Sequence, residues 1–237
     1  VIVVLPVAAL VGYLAGALSP ATLLARRRGV DLARTGSGNP GATNVGRTLG
    51  RAAGVLVGLL DVAKGALPAA GFGLADHRAG LLAGFAAVLG HVTSPFLRGR
   101  GGRGVATSAG AVLGSHPALL PVLLGVWLAV VLISRWVTLG SILGALALPV
   151  AAALLGYRRP DLLWAAAIAA VVVYRHRSNI RSRLAVVRRR LHRPDEPDGT
   201  ALPDGTALPD GTALPGEPGG AVSRRPGRRT RRRSRSR

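Results

Sequence analysis

The chain has 237 residues, 49% of them hydrophobic and 17% charged, with 33 glycines and a formal net charge of +21. That length fits one domain, or two at most. It contains no cysteine, which excludes disulfides, thiolate nucleophiles and cysteine-ligated metals together.

The apolar residues gather in long runs, unlike a soluble α/β pattern. Residues 1–25, 79–97, 104–134 and 136–157 contain no Asp, Glu, Lys or Arg. The predicted fold is an all-α polytopic membrane protein of about seven transmembrane or half-membrane helices, since a span needs about 20 largely apolar residues. The segments fall at about 3–25, 52–74, 79–97, 104–115, 117–134, 138–157 and 161–175. The fourth is too short to span alone, and the seventh is closely bounded by Asp161 and Arg175. Residues 1–25 lack a basic leading end and are followed by further spans, so a span is expected there and not a cleaved signal. Gly12 and Gly16, and Gly140 and Gly144, give small-xxx-small spacing for close helix contact, although Ala and Gly abound throughout.

Arginines set the expected orientation. Arg26, Arg27, Arg28, Arg34, Arg47 and Arg51 follow the first segment, Arg98, Arg100 and Arg103 the third, and Arg135 the fifth. The alternate loops carry only Arg78, Arg158 and Arg159, offset in part by Asp76 and Asp161. The positive-inside rule then predicts the N-terminus outside, the C-terminus cytoplasmic, and the Gly-rich basic loops on the cytoplasmic face.

The first such loop is Gly36-Ser37-Gly38-Asn39-Pro40-Gly41-Ala42-Thr43-Asn44-Val45-Gly46-Arg47. Glycine lets backbone N–H groups turn inward on an anion, and arginine supplies a planar cationic fork. An ordinary polar loop has the same composition. In the second segment Asp61 and Lys64 share a helix face, fitting either a packing ion pair or part of an active-site wall. Next come Gly90-His91 through Pro95-Phe96, then Arg100-Gly101-Gly102-Arg103-Gly104, a second Gly-rich basic loop that opens a helix. Helix N-termini attract anions. Thr138 suits a helix N-cap, Ser141 lies one turn further, and Tyr174-Arg175-His176-Arg177-Ser178-Asn179 closes the last segment at the same face.

Beyond about Leu191 the composition changes. Pro-Asp-Gly-Thr-Ala-Leu recurs at 197–202, 203–208 and 209–214, and residues 223–237 are mostly Arg and Ser. A membrane-embedded domain over 1–183 and a disordered cytoplasmic tail over 184–237 are expected. The Arg-rich end is expected to contact anionic lipid, and no specific nucleic acid is expected.

Together these motifs resemble the bacterial acyl-phosphate:glycerol-3-phosphate acyltransferases, the membrane-embedded PlsY family, from about Tyr13 to Arg181. The resemblance implies acyl transfer from acyl phosphate to the sn-1 hydroxyl of glycerol 3-phosphate, giving 1-acylglycerol 3-phosphate and phosphate for phospholipid synthesis. It implies that backbone amides around Ser37, Gly38, Asn39, Gly41, Ala42 and Thr43 hold the donor phosphate. Arg47, Arg103 and Ser141 would neutralise the two phosphates, His176 and Asn179 would position the glycerol, and Lys64 is a further substrate-binding candidate. Ser37, Arg47, His176 and Asn179 are the expected catalytic set, with no metal or other cofactor, in the bacterial cell membrane. A substrate phosphate would act as base, in keeping with the lack of a His-x-x-x-x-Asp pair. The family usually has lysines where this chain has Arg100 and Arg103, and often Glu where Ser178 stands. An anion transporter or a lipid-binding scaffold fits part of the pattern, but the basic groups cluster on one side and no inverted repeat is evident.

Overall fold

A computed structural model of the chain describes residues 3–192. Those residues form α1 (Val4–Ala17), α2 (Pro20–Arg27), α3 (Ala42–Leu49), α4 (Arg51–Gly73), α5 (His77–Thr93), α6 (Val105–Ser115), α7 (Leu120–Ser134), α8 (Val137–Leu154), α9 (Arg159–Arg175) and α10 (Arg177–His192). No strand occurs among the described residues.

Five stretches are long and apolar enough to cross a membrane: Val4–Arg27, Arg51–Gly73, His77–Leu97, Pro117–Ser134 and Val137–Leu154. The 11 residues of α6 reach only about 16 Å, roughly half a bilayer core. The 17 residues of α9 reach about 26 Å.

Three features depart from the sequence expectation. The segment expected at 3–25 is broken: Leu18 is extended, Ser19 caps α2 by accepting from the Thr22 N–H at 3.2 Å, and Pro20 occupies its first turn. Proline disfavours helix at the residue before it, so the break follows from Ser19-Pro20. The Gly-rich stretch after α2 contains a helix, α3. Finally, α10 continues from Arg177 to His192, across position 184 where the tail was expected to begin. The repeats and the Arg-rich end lie outside the described residues.

The packing suits a bilayer. Of α7, no residue is buried, and Leu124, Leu128, Leu132 and Ile133 are exposed. Such a face would be an association site in water but is ordinary against lipid tails. Inside, small residues bring helix backbones together. A Cβ on Gly12 or Gly16 would meet the backbone of Ala83 or Ala87, so α1 lies directly on α5. Gly65 and Gly110 do the same between α4 and α6. Larger side chains fill the space between α5, α6, α8 and α9: Val88, Val112, Leu148, Ile168 and Trp164, whose Nε1 donates to the Leu81 carbonyl at 2.8 Å.

Two substitutions separate helix propensity from interhelix packing. Gly12→Ala is expected to lower the thermal stability of the detergent-purified protein by about 1–3 kcal/mol, because overpacking outweighs the roughly 1 kcal/mol helix-propensity gain. Gly125→Ala on α7, where a Cβ meets nothing within 4 Å, is expected to leave stability unchanged or slightly higher. Equal melting shifts for the two variants would refute this packing assignment.

Candidate active site

The Gly-rich stretch is shaped by Asn44, which is buried at the start of α3. Its Oδ1 accepts the Ser37 N–H at 2.9 Å and its Nδ2 donates to the Thr35 carbonyl at 3.0 Å. The amide thereby ties the strand of loop before the turn to the helix after it. Gly36 and Gly38 take φ of +59° and +69°, and a Cβ on Gly36 would strike the Asn44 amide. Glycine is therefore required at Gly36 on two counts.

The second Gly-rich loop is built against His91. Gly102 N–H donates to the His91 carbonyl at 3.1 Å, and a Cβ on Gly101 or Gly102 would collide with the His91 backbone or ring. Arg175 holds the loop from the other side, donating to the carbonyls of Gly101 at 2.7 Å and Gly102 at 3.2 Å. Arg103 leaves this loop with its Nη2 donating to Asn179 Oδ1 at 2.8 Å. Asn179 Nδ2 in turn donates to Thr138 Oγ1 at 3.0 Å. One amide thus joins α10, the Gly-Gly loop and the start of α8.

Both loops open on a single cavity of about 420 Å³. Its wall includes Ser37, Asn39, Gly41, Ala42, Thr43, Asn44 and Arg47 from the first loop and α3. Arg103, Gly104, Val105 and Ala106 come from the second loop and α6, and Val137, Thr138 and Ser141 from α8. Asp61, His91 and His176 complete its polar lining. Three helices, α3, α6 and α8, therefore begin at this cavity. Their first backbone-bonded donors are Val45, Ser108 and Gly140, so the N–H groups before these lack an intrahelical acceptor. Unpaired N–H groups and the positive ends of three macrodipoles favour anions here. Arg47 is exposed and has no hydrogen-bond or ion-pair partner among the described residues.

A narrower apolar chamber of about 80 Å³ adjoins the cavity, sharing Val105, Ala109, Leu124, Trp127 and Ser141 with it. Beyond those residues its wall includes Val112, Leu120, Leu148, Ile168 and Val172.

Of the residues singled out in the sequence, Ser37, Asn39, Gly41, Ala42, Thr43, Arg47, Arg103, Ser141 and His176 line the cavity. Asn179 stands behind Arg103, and Gly38 supplies a turn outside the wall. Lys64 points elsewhere: its Nζ is 2.9 Å from Asp61 Oδ1 and donates at 2.8 Å to the Leu18 carbonyl, exposed where α1 breaks. Lys64 is not among the residues of the cavity wall, and an ion pair and a helix-end carbonyl take two of the three ammonium donors. The Ser141 hydroxyl donates to the Val137 carbonyl at 3.0 Å, so an anion there would compete with that bond. His176 Nδ1 donates to the Val172 carbonyl at 2.8 Å, which makes Nε2 the acceptor nitrogen of the neutral ring.

The sequence reading assigned no role to Asn44 or Arg175. Asn44 was within the quoted motif, and its need for a αL glycine neighbour was the available signal. Nothing local to Arg175 points to carbonyls more than seventy positions earlier in the chain.

Comparison with known proteins shows the family. The family model described as glycerol-3-phosphate acyltransferase matches residues 6–186. Glycerol-3-phosphate acyltransferase 1 of Deinococcus radiodurans is 45% identical over 190 residues, covering 78% of this chain and 94% of that protein. Crystal structures of PlsY (YgiH), an integral membrane glycerol 3-phosphate acyltransferase, share 38% identity and cover 75% of this chain and 90% of theirs. The TM-score is 0.73 for the glycerol 3-phosphate form and 0.71 for the lysophosphatidic acid form. The chain is thus a multi-pass integral membrane protein, and it belongs to the glycerol-3-phosphate acyltransferase family.

Proposed function

We propose that the protein transfers a fatty acyl group from acyl phosphate to the sn-1 hydroxyl of glycerol 3-phosphate at the cytoplasmic face of the bacterial cell membrane. The observation that carries this reading is the convergence of three helix N-termini, Arg47 and Arg103 on one cavity that continues into an apolar chamber. Two phosphates need that concentration of donors, and an acyl chain needs an apolar extension. The solved relatives carrying glycerol 3-phosphate and lysophosphatidic acid support the same acceptor and product class here.

In this mechanism the α3 N-terminus and the Ser37–Thr43 loop bind the donor phosphate, and the chamber beside Ser141 receives the first carbons of the chain. Arg47 and Arg103 balance the charge of the two phosphates, while His176 orients the glycerol through Nε2. The acceptor hydroxyl attacks the acyl carbonyl, forming the ester C–O bond as the acyl–phosphate C–O bond breaks. The hydroxyl proton passes to a phosphate oxygen, and the leaving phosphate keeps the bond electrons. Charge developing on that phosphate is met by pre-oriented N–H groups and arginine, which need no reorganisation. The mixed anhydride is already activated, so attack is direct. Asn179 acts by holding Arg103 in place.

Purified protein supplied with acyl phosphate and labelled glycerol 3-phosphate is expected to release phosphate and 1-acylglycerol 3-phosphate in equal amounts, without CoA or acyl carrier protein. Absence of product from folded protein would overturn the reading. Arg47→Ala is expected to lower kcat/KM by about a hundredfold, the effect of losing one charge-stabilising donor, with unchanged melting. Near-normal turnover would remove Arg47 from the site.

Asn179→Ala is expected to cost roughly tenfold or more in kcat/KM, the value of a hydrogen bond to a charged group. Added to Arg103→Ala, it should cost little further, because the effect runs through the lost arginine. Full additivity would assign Asn179 a separate role.

The orientation has its own test, since the chain has no native cysteine. Arg158→Cys is expected to react with a membrane-impermeant maleimide on intact cells, and Arg98→Cys only after permeabilisation. The opposite pattern would invert the topology.

A further inference from the structure

We propose that His77, His116 and Asp161 form a binding site for a zinc-class divalent cation at the end of the bundle remote from the substrate cavity. The three residues come from the start of α5, the turn after α6 and the first turn of α9. His77 Nε2 lies 2.6 Å and His116 Nε2 3.0 Å from the same oxygen, Oδ1 of Asp161. All three donor atoms lie within 4.8 Å of one another.

Two imidazole nitrogens and one carboxylate oxygen are a donor set that suits zinc better than magnesium or calcium, which favour oxygen alone. Zinc bonds of about 2.0–2.1 Å in tetrahedral geometry place ligand atoms about 3.3 Å apart, so His116 needs to withdraw from Asp161 by about 0.3 Å and His77 by about 0.7 Å. His77 can supply that movement. Its side chain is 56% exposed, whereas those of His116 and Asp161 are 3% and 8% exposed. Two ligands are thus pre-set in a buried wall, and the third stands at the mouth, leaving a fourth position for water.

The surroundings also favour a cation. Among the described residues the buried Asp161 carboxylate has no Lys or Arg partner, and only the two imidazoles face it. The His116 ring is held edge-on by Tyr157, with ring centroids 4.7 Å apart, and packs against Trp164 at 5.3 Å. Burial pushes the His116 pKa below the ordinary imidazole range, against the opposing hydrogen bond and charge of Asp161.

Each helix involved has its other end at the substrate cavity. His91 lies on α5 fourteen positions after His77, Val105 begins α6, and His176 follows α9. At 1.5 Å per residue the cation would sit about 20 Å from the cavity, too far to take part in acyl transfer. Its effect would be to tie three helix ends together.

The full-length protein, purified in detergent without a polyhistidine tag, is titrated with Zn²⁺ by calorimetry and with Co²⁺ by visible absorption. One Zn²⁺ per chain is expected to bind and raise the Tm, and Co²⁺ to develop the intense bands of a four-coordinate site. His77→Ala removes an exposed side chain and is expected to weaken Zn²⁺ binding by more than about tenfold and to abolish the Tm rise. Asp161→Asn, similar in shape, should likewise lose Zn²⁺, while Arg78→Ala should retain it. No saturable Zn²⁺ binding by the unaltered protein, or unchanged affinity in His77→Ala, would overturn the proposal.

Discussion

The convergence of three helix N-termini on one cavity is the constraint on which the rest of the structure depends. Under the proposed function, doubly charged phosphate esters leave bulk water there and the protein replaces that hydration with fixed donors. Helix N-termini do this without adding mobile side chains, because their N–H groups already lack acceptors. Bringing three of them to one cavity requires three helices to begin there: α3 from the Gly-rich turn, α6 from the Gly-Gly loop and α8 after the Arg135-Trp136 break. The glycines of both loops serve that requirement. Arginine then adds full charge at the edges, with Arg47 exposed and Arg103 tied to Asn179.

The bilayer imposes a second condition, that no buried backbone group go unpaired. Breaking the first span at Leu18 and Ser19 frees carbonyls inside the bundle, and side chains from two other elements meet them. Ser94 Oγ donates to the Ala17 carbonyl at 2.6 Å, and Lys64 Nζ takes the Leu18 carbonyl. Lys64 can do so at membrane depth because Asp61 neutralises it. Asp61 also faces the cavity, with His91 Nδ1 3.7 Å from its carboxylate. The ion pair therefore links the repair of a helix break to the lining of the site, and the packing and active-site readings of Asp61 and Lys64 describe its two ends.

Much of this was legible in the sequence, and what was not has a common cause. Runs of apolar residues marked the spans, and residue type at close spacing marked both basic loops, since those features are local. The same local logic missed α3, because glycine-rich composition masks a short helix whose stability comes from Asn44 and packing against α4. It ran 3–25 together as one segment by weighing hydropathy above the stop at Ser19-Pro20. Contacts between distant positions had no signature at all. Arg175 with Gly101 and Gly102, Asn179 with Thr138, and the meeting of His77, His116 and Asp161 each depend on where helix ends arrive after packing.

The departure from lysine to arginine at Arg103 is the clearest case of sequence and structure explaining each other. A lysine ammonium is a point charge on a flexible stem, and a bond to Asn179 would take much of its directional capacity away from the cavity. A guanidinium has five donors on a rigid plane, so one nitrogen can be fixed by Asn179 while the remaining face stays with the cavity. Asn179 is itself fixed by Thr138 at the start of α8, so the arginine is oriented by a chain of neutral amide and hydroxyl groups that subtracts no charge from the site. An acid in that chain would have oriented Arg103 equally well but cancelled its charge. The exposed Ser178 lies beside this network without entering it.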